Sequence, residues 1–305
     1  MRTKLLVTGG AGFIGSHLVE ALLAKGYAVR VVDNLISGRR EWIMPDAEFI
    51  EGDIADPEIA RQAINGVVGV FHLAAMSRIN PSLECVDLCT RSNIIGTQNL
   101  LTAAQKQGVK KFVYSGSSTY YGNQPIPHRE YETPADILNF YGASKRTSEV
   151  YCQLFDRLFN VPTIILRYFN VYGPRQAPTG MYAAVMGIFL DQNKKQKALT
   201  IHGNGLQRRD FVHVRDVVNA NILAFESPLH EKIYNVGSGT NVSIKQLADM
   251  ISPNQMHDKP RAGDTAATLA DITRIRADLK WEPKISLTDG LEELKIRVSK
   301  GLENA

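Results

Sequence analysis

Gly9, Gly12 and Gly15 stand three residues apart in LLVTGGAGFIGSHLVEALLAKG, between a β-rich apolar run and a segment of helical periodicity. Lys4–Thr8 reads as a strand. Phe13, Ile14, Leu18, Leu22 and Leu23 fall on one side of a helix over residues 13–25, which Gly26 stops. In that context each missing side chain has a use. The first glycine permits a tight turn, the second lets a pyrophosphate approach the backbone, and the third lets helix and strand pack closely. The helix N-terminus offers free N–H groups and a partial positive charge to phosphates. The spacing alone also occurs in ordinary glycine-rich turns; the flanking strand and helix give it meaning.

The alternation continues through VRVVD, EFIEGD, VVGVFHLAA, KKFVYSGSS and TIILRYFNVYG, with helical stretches between most of them. Strand, helix, strand at this spacing predicts an α/β fold, a doubly wound parallel (Rossmann) sheet covered on both faces. After about residue 170 the pattern is interrupted by Pro174, Pro178 and several glycines. A helix is expected over 182–192, a short strand at ALTIHG, a helix over 216–226, a strand and turn at KIYNVGSG, and helices over 273–280 and 287–300. The 305 residues suit one large core with an appended lobe. The expected organisation is a dinucleotide-binding domain over 1–170 and a smaller, interleaved C-terminal lobe over 171–305.

A net charge of +4 is too small to argue for nucleic acid and suits an anionic small molecule weakly. Three cysteines, Cys85, Cys89 and Cys152, do not make a disulfide framework. Cys85 and Cys89 would share a helix face, but no second pair of metal ligands stands nearby, so buried thiols are expected and no metal. The chain enters a strand almost at once, with no signal peptide, and no apolar run approaches the roughly 18 residues of a membrane span. The expectation is a cytoplasmic protein with no membrane partner.

Asp33 ends the second predicted strand, 24 positions after Gly9. A carboxylate there accepts hydrogen bonds from ribose hydroxyls and repels a 2′-phosphate, which favours NAD over NADP, although Arg39 and Arg40 follow. Asp53 is placed either to meet an adenine edge or to cap the next helix. In NFYGASKRTSEVY, Tyr141 and Lys145 are four apart and share a helix face. A phenol near pKa 10 is a poor base at neutral pH, but a neighbouring ammonium favours the phenolate, so the pair has the makings of a general base. YSGSSTYYG lies at the C-terminal edge of the sheet, where such folds place ligands. Ser117 is the hydroxyl chosen to bond a substrate oxygen, with Ser118 and Thr119 as neighbours.

Together TGGAGFIG, Asp33, FHLAA, YSGSSTYYG, YGASK, RYFNVYGPR and RRDFVHVRDV make the chain resemble the extended short-chain dehydrogenase/reductase family, and within it the NAD-dependent nucleotide-sugar epimerases and dehydratases. The resemblance implies that Tyr141 takes the proton of a sugar 4-hydroxyl while hydride leaves C4 for NAD⁺. Lys145 would lower the tyrosine pKa and hold the nicotinamide ribose, and Ser117 would steady the oxygen. The 4-keto sugar turns over, hydride returns to its other face, and NAD persists as cofactor. It implies NAD held by Gly9, Gly12, Phe13, Ile14, Gly15, Asp33, Asn34, Asp53, Ile54, Leu73, Ala74, Ala75, Asn93, Tyr141, Lys145 and Tyr168.

For a UDP-sugar substrate the resemblance implies Asn170, Arg209 and Arg261 at the diphosphate. Residues 182–185 (Tyr182 and Ala183 among them) and 199–202 (with His202) would frame uracil and ribose, and Asp264 would hold ribose hydroxyls. Ser77, Ser117 and Thr268 would stand at the sugar. Thr268 falls where family members carry a bulky gatekeeper for plain hexoses or a small one for N-acetyl sugars; its modest size admits UDP-glucose/UDP-galactose and, as a further candidate, the UDP-N-acetylhexosamine pair. Arg175 is read as ordering its loop.

Dehydratases of the family carry an Asp-Glu pair after the catalytic hydroxyl, and decarboxylases a glutamate nearby. Here Ser118 and Thr119 occupy those positions, which favours 4-epimerisation, with Glu130 the acid left to consider. Dehydratase or decarboxylase chemistry is the alternative, and a non-catalytic NAD-binding sensor the alternative of another class. Helices over 81–107 and 141–159 are expected to be long and, by resemblance, to pair in a homodimer.

Overall fold

Residues 2–132, 137–180, 183–260 and 265–302 are described in the computed structural model. The first half runs β1 (Lys4–Thr8), α1 (Phe13–Ala24), β2 (Ala28–Asp33), β3 (Glu48–Glu51), α2 (Pro57–Ile64), β4 (Gly69–His72), α3 (Ile79–Glu84), α4 (Val86–Cys89), α5 (Gly96–Gln107) and β5 (Lys111–Ser117). Then come α6 (Phe140–Phe159), β6 (Thr163–Tyr168), β7 (Asn170–Tyr172), α7 (Val185–Lys194), β8 (Leu199–His202), β9 (Arg208–Arg209), β10 (Phe211–His213), α8 (Val214–Glu226) and β11 (Lys232–Val236). β12 (Val242–Ser243), α9 (Ile244–Asp249), β13 (Gln255–Asp258), α10 (Thr273–Leu279) and α11 (Leu287–Ser299) complete the chain.

Seven parallel strands form the main sheet in the order β11-β6-β5-β4-β1-β2-β3. β1 shows why the sheet is covered on both sides. Leu5 and Val7 point into one core with Leu18, Leu22 and Val217, while Leu6 points into another with Leu100, Leu101 and Phe112. Alternate residues of a strand face opposite ways, so a continuous apolar run needs a layer of helices on each face. The strand order reverses between β1 and β4. The crevice at their C-terminal ends is where an open α/β sheet binds ligands. A third core, built on Met186, Phe189, Ile201, Leu247 and Leu291, supports the residues after β6.

Four local expectations are corrected. The long helix expected over 81–107 is broken. Cys85 leaves helical geometry at φ −135°, ψ 72°, and Thr90–Ile95 winds as a π-helix. The Asn93 carbonyl there accepts hydrogen bonds from Thr97 Oγ1 (2.5 Å) and Ser148 Oγ (2.8 Å), and side chains that enter the backbone ladder shift its pairing. TIILRYFNVYG is two strands. β7 leaves the main sheet after Phe169 because it pairs with β10 instead. The helix expected over 182–192 lies at Val185–Lys194. Of the two thiols expected to be buried near α4, Cys89 is buried and Cys85, at the break, is exposed. Among the described residues no His/Cys/Asp/Glu cluster suits a metal, and no helix is long and apolar enough to cross a membrane.

Candidate active site

A cleft of about 940 Å³ runs along the C-terminal edge of the sheet. At one end the β1–α1 turn carries the three glycines. Gly9 sits at φ +71°, and a Cβ there would lie 2.8 Å from the Ala74 nitrogen. A Cβ on Gly15 would lie 2.1 Å from the Gly9 carbonyl oxygen, so α1 can approach β1 only because that side chain is absent. Gly12 differs. A Cβ there would meet one protein atom, the Gly9 oxygen at 3.1 Å, and otherwise occupy the cleft. Gly12 is also the N-cap of α1 and supplies no capping side chain, so the first-turn amides of α1 are available to an anion.

Asp33 closes this end. Its Oδ2 accepts the Ala11 N–H at 3.0 Å and its Oδ1 the Leu35 N–H at 2.9 Å. Burial raises its pKa, and the two amides oppose that shift. Asn34 and Asp53 border the same end; Asp53 Oδ1 also accepts the Ala55 N–H at 2.9 Å. Ile54, Leu73, Ala74 and Ala75 complete the wall. Trp42, with the Arg39 guanidinium 5.1 Å over its ring, lines it too and was not foreseen.

At the middle of the cleft α6 presents Tyr141 and Lys145, and β5 presents Ser117. The Ser117 hydroxyl faces Tyr141 and favours its phenolate. Ser117 Oγ also donates to Thr119 Oγ1 at 3.0 Å and accepts the Thr119 N–H at 3.2 Å. The first turn of α6 is anchored twice. Asn139 Oδ1 accepts the Gly142 N–H at 2.8 Å, and Ser82 Oγ on α3 accepts the Tyr141 N–H at 3.1 Å. Lys145 is buried, with Nζ donating to the Ser115 carbonyl at 2.9 Å and standing 4.9 Å over the Tyr114 ring.

The electrostatics add one residue to the expected set. Burial raises the Tyr141 pKa; the influences that lower it are the Ser117 hydroxyl and the positive charge of Arg78. Lys145 donates from Nζ to the Ser115 carbonyl. Its own pKa is pushed down to about 8 by burial, with Glu149 opposing. Arg78, half-buried at the start of α3, is a cation acting on Tyr141 that the sequence did not single out. The motif SRINPS held that arginine, but nothing local says that its charge reaches α6.

Tyr168, Asn170, Ala183, His202, Arg209, Thr268 and Ser77 all line the cleft. Tyr168 directs its hydroxyl inward, donating to Asn221 Oδ1 at 2.9 Å. Thr268 Oγ1 accepts the Asp210 N–H at 3.3 Å, and Arg209 Nη1 donates to the Arg208 carbonyl at 2.9 Å. Tyr182, Arg261 and Asp264 lie outside the described residues. Asn93 stands apart from these residues. It does not line the cleft, because its amide is engaged within the fold, accepting the Met76 N–H at 2.8 Å and donating to the Met76 carbonyl and Ser144 Oγ. Glu130 is turned away as well: it accepts the Asn235 N–H at 2.9 Å and does not reach the cleft. Arg175 Nη1 donates to Glu20 Oε2 at 3.0 Å, and Arg175 also lines the cleft. Among the described residues the carboxylates lining the cleft are Asp33, Asp53 and Asp258, at the ends of β2, β3 and β13.

Residues 5–237 match the family described as the NAD dependent epimerase/dehydratase family. A putative UDP-glucose 4-epimerase of Methanocaldococcus jannaschii is 38% identical over 299 residues, covering 95% of this chain and 96% of its own. The crystal structure of a UDP-glucose 4-epimerase with UDP-glucose from Thermotoga maritima superposes with a TM-score of 0.94 at 38% identity, covering 99% of this chain and 100% of that one. A UDP-glucuronic acid 4-epimerase variant from Bacillus cereus, in complex with NAD and a fluorinated UDP-glucuronic acid, gives 0.91 at 30% identity, covering 98% and 99%.

Proposed function

This chain belongs to the NAD dependent epimerase/dehydratase family, and on that premise we propose that it inverts C4 of a UDP-hexose through a transient 4-keto sugar. It is an NAD-dependent UDP-sugar 4-epimerase. The observation that carries the reading is the Tyr141–Ser117 hydroxyl pair beside a dinucleotide cradle, at a place where no described cleft-lining carboxylate stands. Elimination of water or loss of CO₂ needs an acid or base near C5 or C6, and Ser118 and Thr119 supply neither.

The cradle fits the cofactor: the open face of Gly12, the uncapped N-terminus of α1 and the Asp33 carboxylate suit a pyrophosphate and a ribose diol. NAD would be held by the cleft-lining residues named above, and when bound it supplies a reversible hydride acceptor. The protein's own part is acid–base. Tyr141 receives the proton of the 4-hydroxyl and returns it, and Ser117 holds the oxygen at bonding distance as it becomes a carbonyl. Asn170, Ala183, His202 and Arg209 are proposed for the nucleotide, with Tyr182, Arg261 and Asp264; Ser77 and Thr268 are proposed for the sugar. UDP-glucose/UDP-galactose is the proposed pair, and the N-acetylhexosamine pair the next candidate.

Residues 1–170 are proposed as the NAD-binding domain and 171–305 as the nucleotide-sugar lobe, which returns β11 to the main sheet. A homodimer through α5 and α6 is proposed. α6 leaves Val150, Leu154 and Leu158 exposed at 45%, 43% and 65%, four residues apart on its outer face. The cytoplasm is the proposed location.

The test is incubation of the purified protein, without added cofactor, with UDP-glucose, UDP-N-acetylglucosamine and UDP-glucuronate separately, and NMR of the products. A C4 epimer is expected from at least one. A 4-keto-6-deoxy sugar, a pentose or stoichiometric NADH as the product refutes the reading. Tyr141→Phe should lose most turnover and keep bound NAD.

A further inference from the structure

Glu149 stands four residues beyond Lys145 on α6, on the same face. Its partner is Arg167 on β6, and both side chains are buried, at 3% and 2% exposure. Arg167 Nη2 donates to Glu149 Oε2 at 2.8 Å, and Nε donates to both carboxylate oxygens at 3.1 Å. Nη1 donates to the Tyr121 hydroxyl at 2.8 Å and to the Glu130 carbonyl at 3.0 Å. The guanidinium lies 3.7 Å over the ring of Tyr120. So deep a pair is a poor device for stability alone, since desolvation offsets much of its attraction and apolar residues of similar volume often serve as well.

Its place in the fold points to another use. A Cβ on Gly116 would lie 2.8 Å from Glu149 Oε1. The carboxylate therefore rests against the residue between Ser115, whose carbonyl holds Lys145 Nζ, and Ser117. Gly116 leaves the room that Glu149 needs to reach the end of β5.

We propose that Glu149 and Arg167 are a positioning pair for the reaction: Glu149 supplies the negative charge that keeps buried Lys145 an ammonium, and Arg167 limits that charge and fixes it beneath β5. Neither side chain lines the cleft. Besides Tyr141, one turn away on the same face of α6 and with its own pKa raised by burial, the groups facing Lys145 are Cys152 on α6, Cys89 on α4, the Tyr114 ring on β5 and His72 on β4. Burial raises the pKa of both thiols and of the Tyr114 phenol, and lowers that of His72 to about 3, so all four are neutral near pH 7. Glu149 is then the anion set against the burial of the ammonium. Around the pair itself stand Tyr121, with its pKa raised by burial, and Glu130, whose carboxyl binds the Asn235 amide.

The two halves predict opposite effects. Glu149→Gln removes the anion and leaves the Arg167 cation, so Lys145 loses its proton at lower pH. Arg167→Gln leaves the anion unopposed, so Lys145 holds its proton to higher pH. The titration of Lys145 is read by NMR of lysine labelled at Cε in the protein as purified, with its signal identified by its loss in Lys145→Met. The alkaline limb of turnover in the holoenzyme is the second readout.

The expected midpoint shifts are about one pH unit downward for Glu149→Gln and about one unit upward for Arg167→Gln, with the double variant between them and Glu149→Asp near the parent. If Glu149→Gln does not fold, the upward shift of Arg167→Gln relative to the double variant carries the test. Midpoints that stay put, or move in the same direction, overturn the proposal. It rests on the role given to Lys145, but the titration needs no sugar. Shifted midpoints in a protein that turns over no UDP-sugar would refute the epimerase reading and leave this one standing.

Discussion

Gly12 and Gly15 differ by three positions and are expected to fail in different ways when each is made alanine. At Gly15 the new methyl would start 2.1 Å from the Gly9 oxygen and 2.8 Å from the Gly10 Cα, both backbone atoms. Carbon and oxygen in ordinary contact lie about 3.3 Å apart, so α1 and the turn must part by about 1 Å. That loosens Leu18, Val19 and Leu22 against Leu5, Val7 and Val31. Overpacking of this kind costs about 1–3 kcal/mol, and the better helix propensity of alanine returns at most about 1 kcal/mol. A net loss of about 1–2 kcal/mol lowers the melting temperature of a chain this long by roughly 2–3 °C. At Gly12 the backbone is extended (φ −86°, ψ 179°) and open to alanine, and the methyl meets one oxygen at 3.1 Å. The fold should lose under about 1 kcal/mol there. The methyl instead stands where the pyrophosphate must approach, and affinity for NAD should fall at least about tenfold, or ~1.4 kcal/mol. Thermal melts of the NAD-free proteins and calorimetric titration with NAD separate the two. The reasoning is refuted if Gly12→Ala melts as low as Gly15→Ala, or if it keeps parental affinity for NAD.

Other expectations follow from the electrostatics and the surface. With Lys145 titrating near 8, turnover that needs its ammonium should fall about tenfold per pH unit above that value. Its folded pKa lies below the unfolded value of about 10.4, so the unfolded chain binds more protons between the two and this group's contribution to stability rises with pH over that window. Melts against Lys145→Met should show the difference moving in favour of the parent from pH 8 to 10. Arg78→Gln should move the acid limb of turnover, where Tyr141 ionises, upward by up to about one unit, while Arg78→Lys holds it near the parent; an unmoved limb in the glutamine variant would exclude the arginine from that role. Replacing Val150 and Leu158 by glutamate should yield a monomer in sedimentation with NAD still bound; an unchanged mass would place any interface elsewhere.

Much of this site was legible because its signals are local. The turn at Gly9, the periodicity of α1, the end of β2 at Asp33 and the four-residue spacing of Tyr141 and Lys145 each follow from a short stretch of chain, and the structure gathers their side chains along one sheet edge. Asn93, placed at the cofactor by the family resemblance alone, shows the opposite case: its amide is used by Met76, 17 residues away, and Ser144, 51 residues away. The π-turn at Thr90–Ile95 is partly non-local as well, since Ser148 reaches the Asn93 carbonyl.

Periodicity, glycine placement and the Tyr-x-x-x-Lys spacing determined the architecture and singled out the proposed cofactor cradle and reactive hydroxyl, because backbone conformation and the face of a helix are properties of neighbouring residues. Tertiary structure alone decided which charges act on which protons. That Arg78 faces Tyr141, that Lys145 is held by Ser115 and that Glu149 is locked by Arg167 depend on approaches of a few ångströms between distant segments. Electrostatic influence falls steeply with distance and rises with burial, and neither quantity exists until the chain has closed on itself.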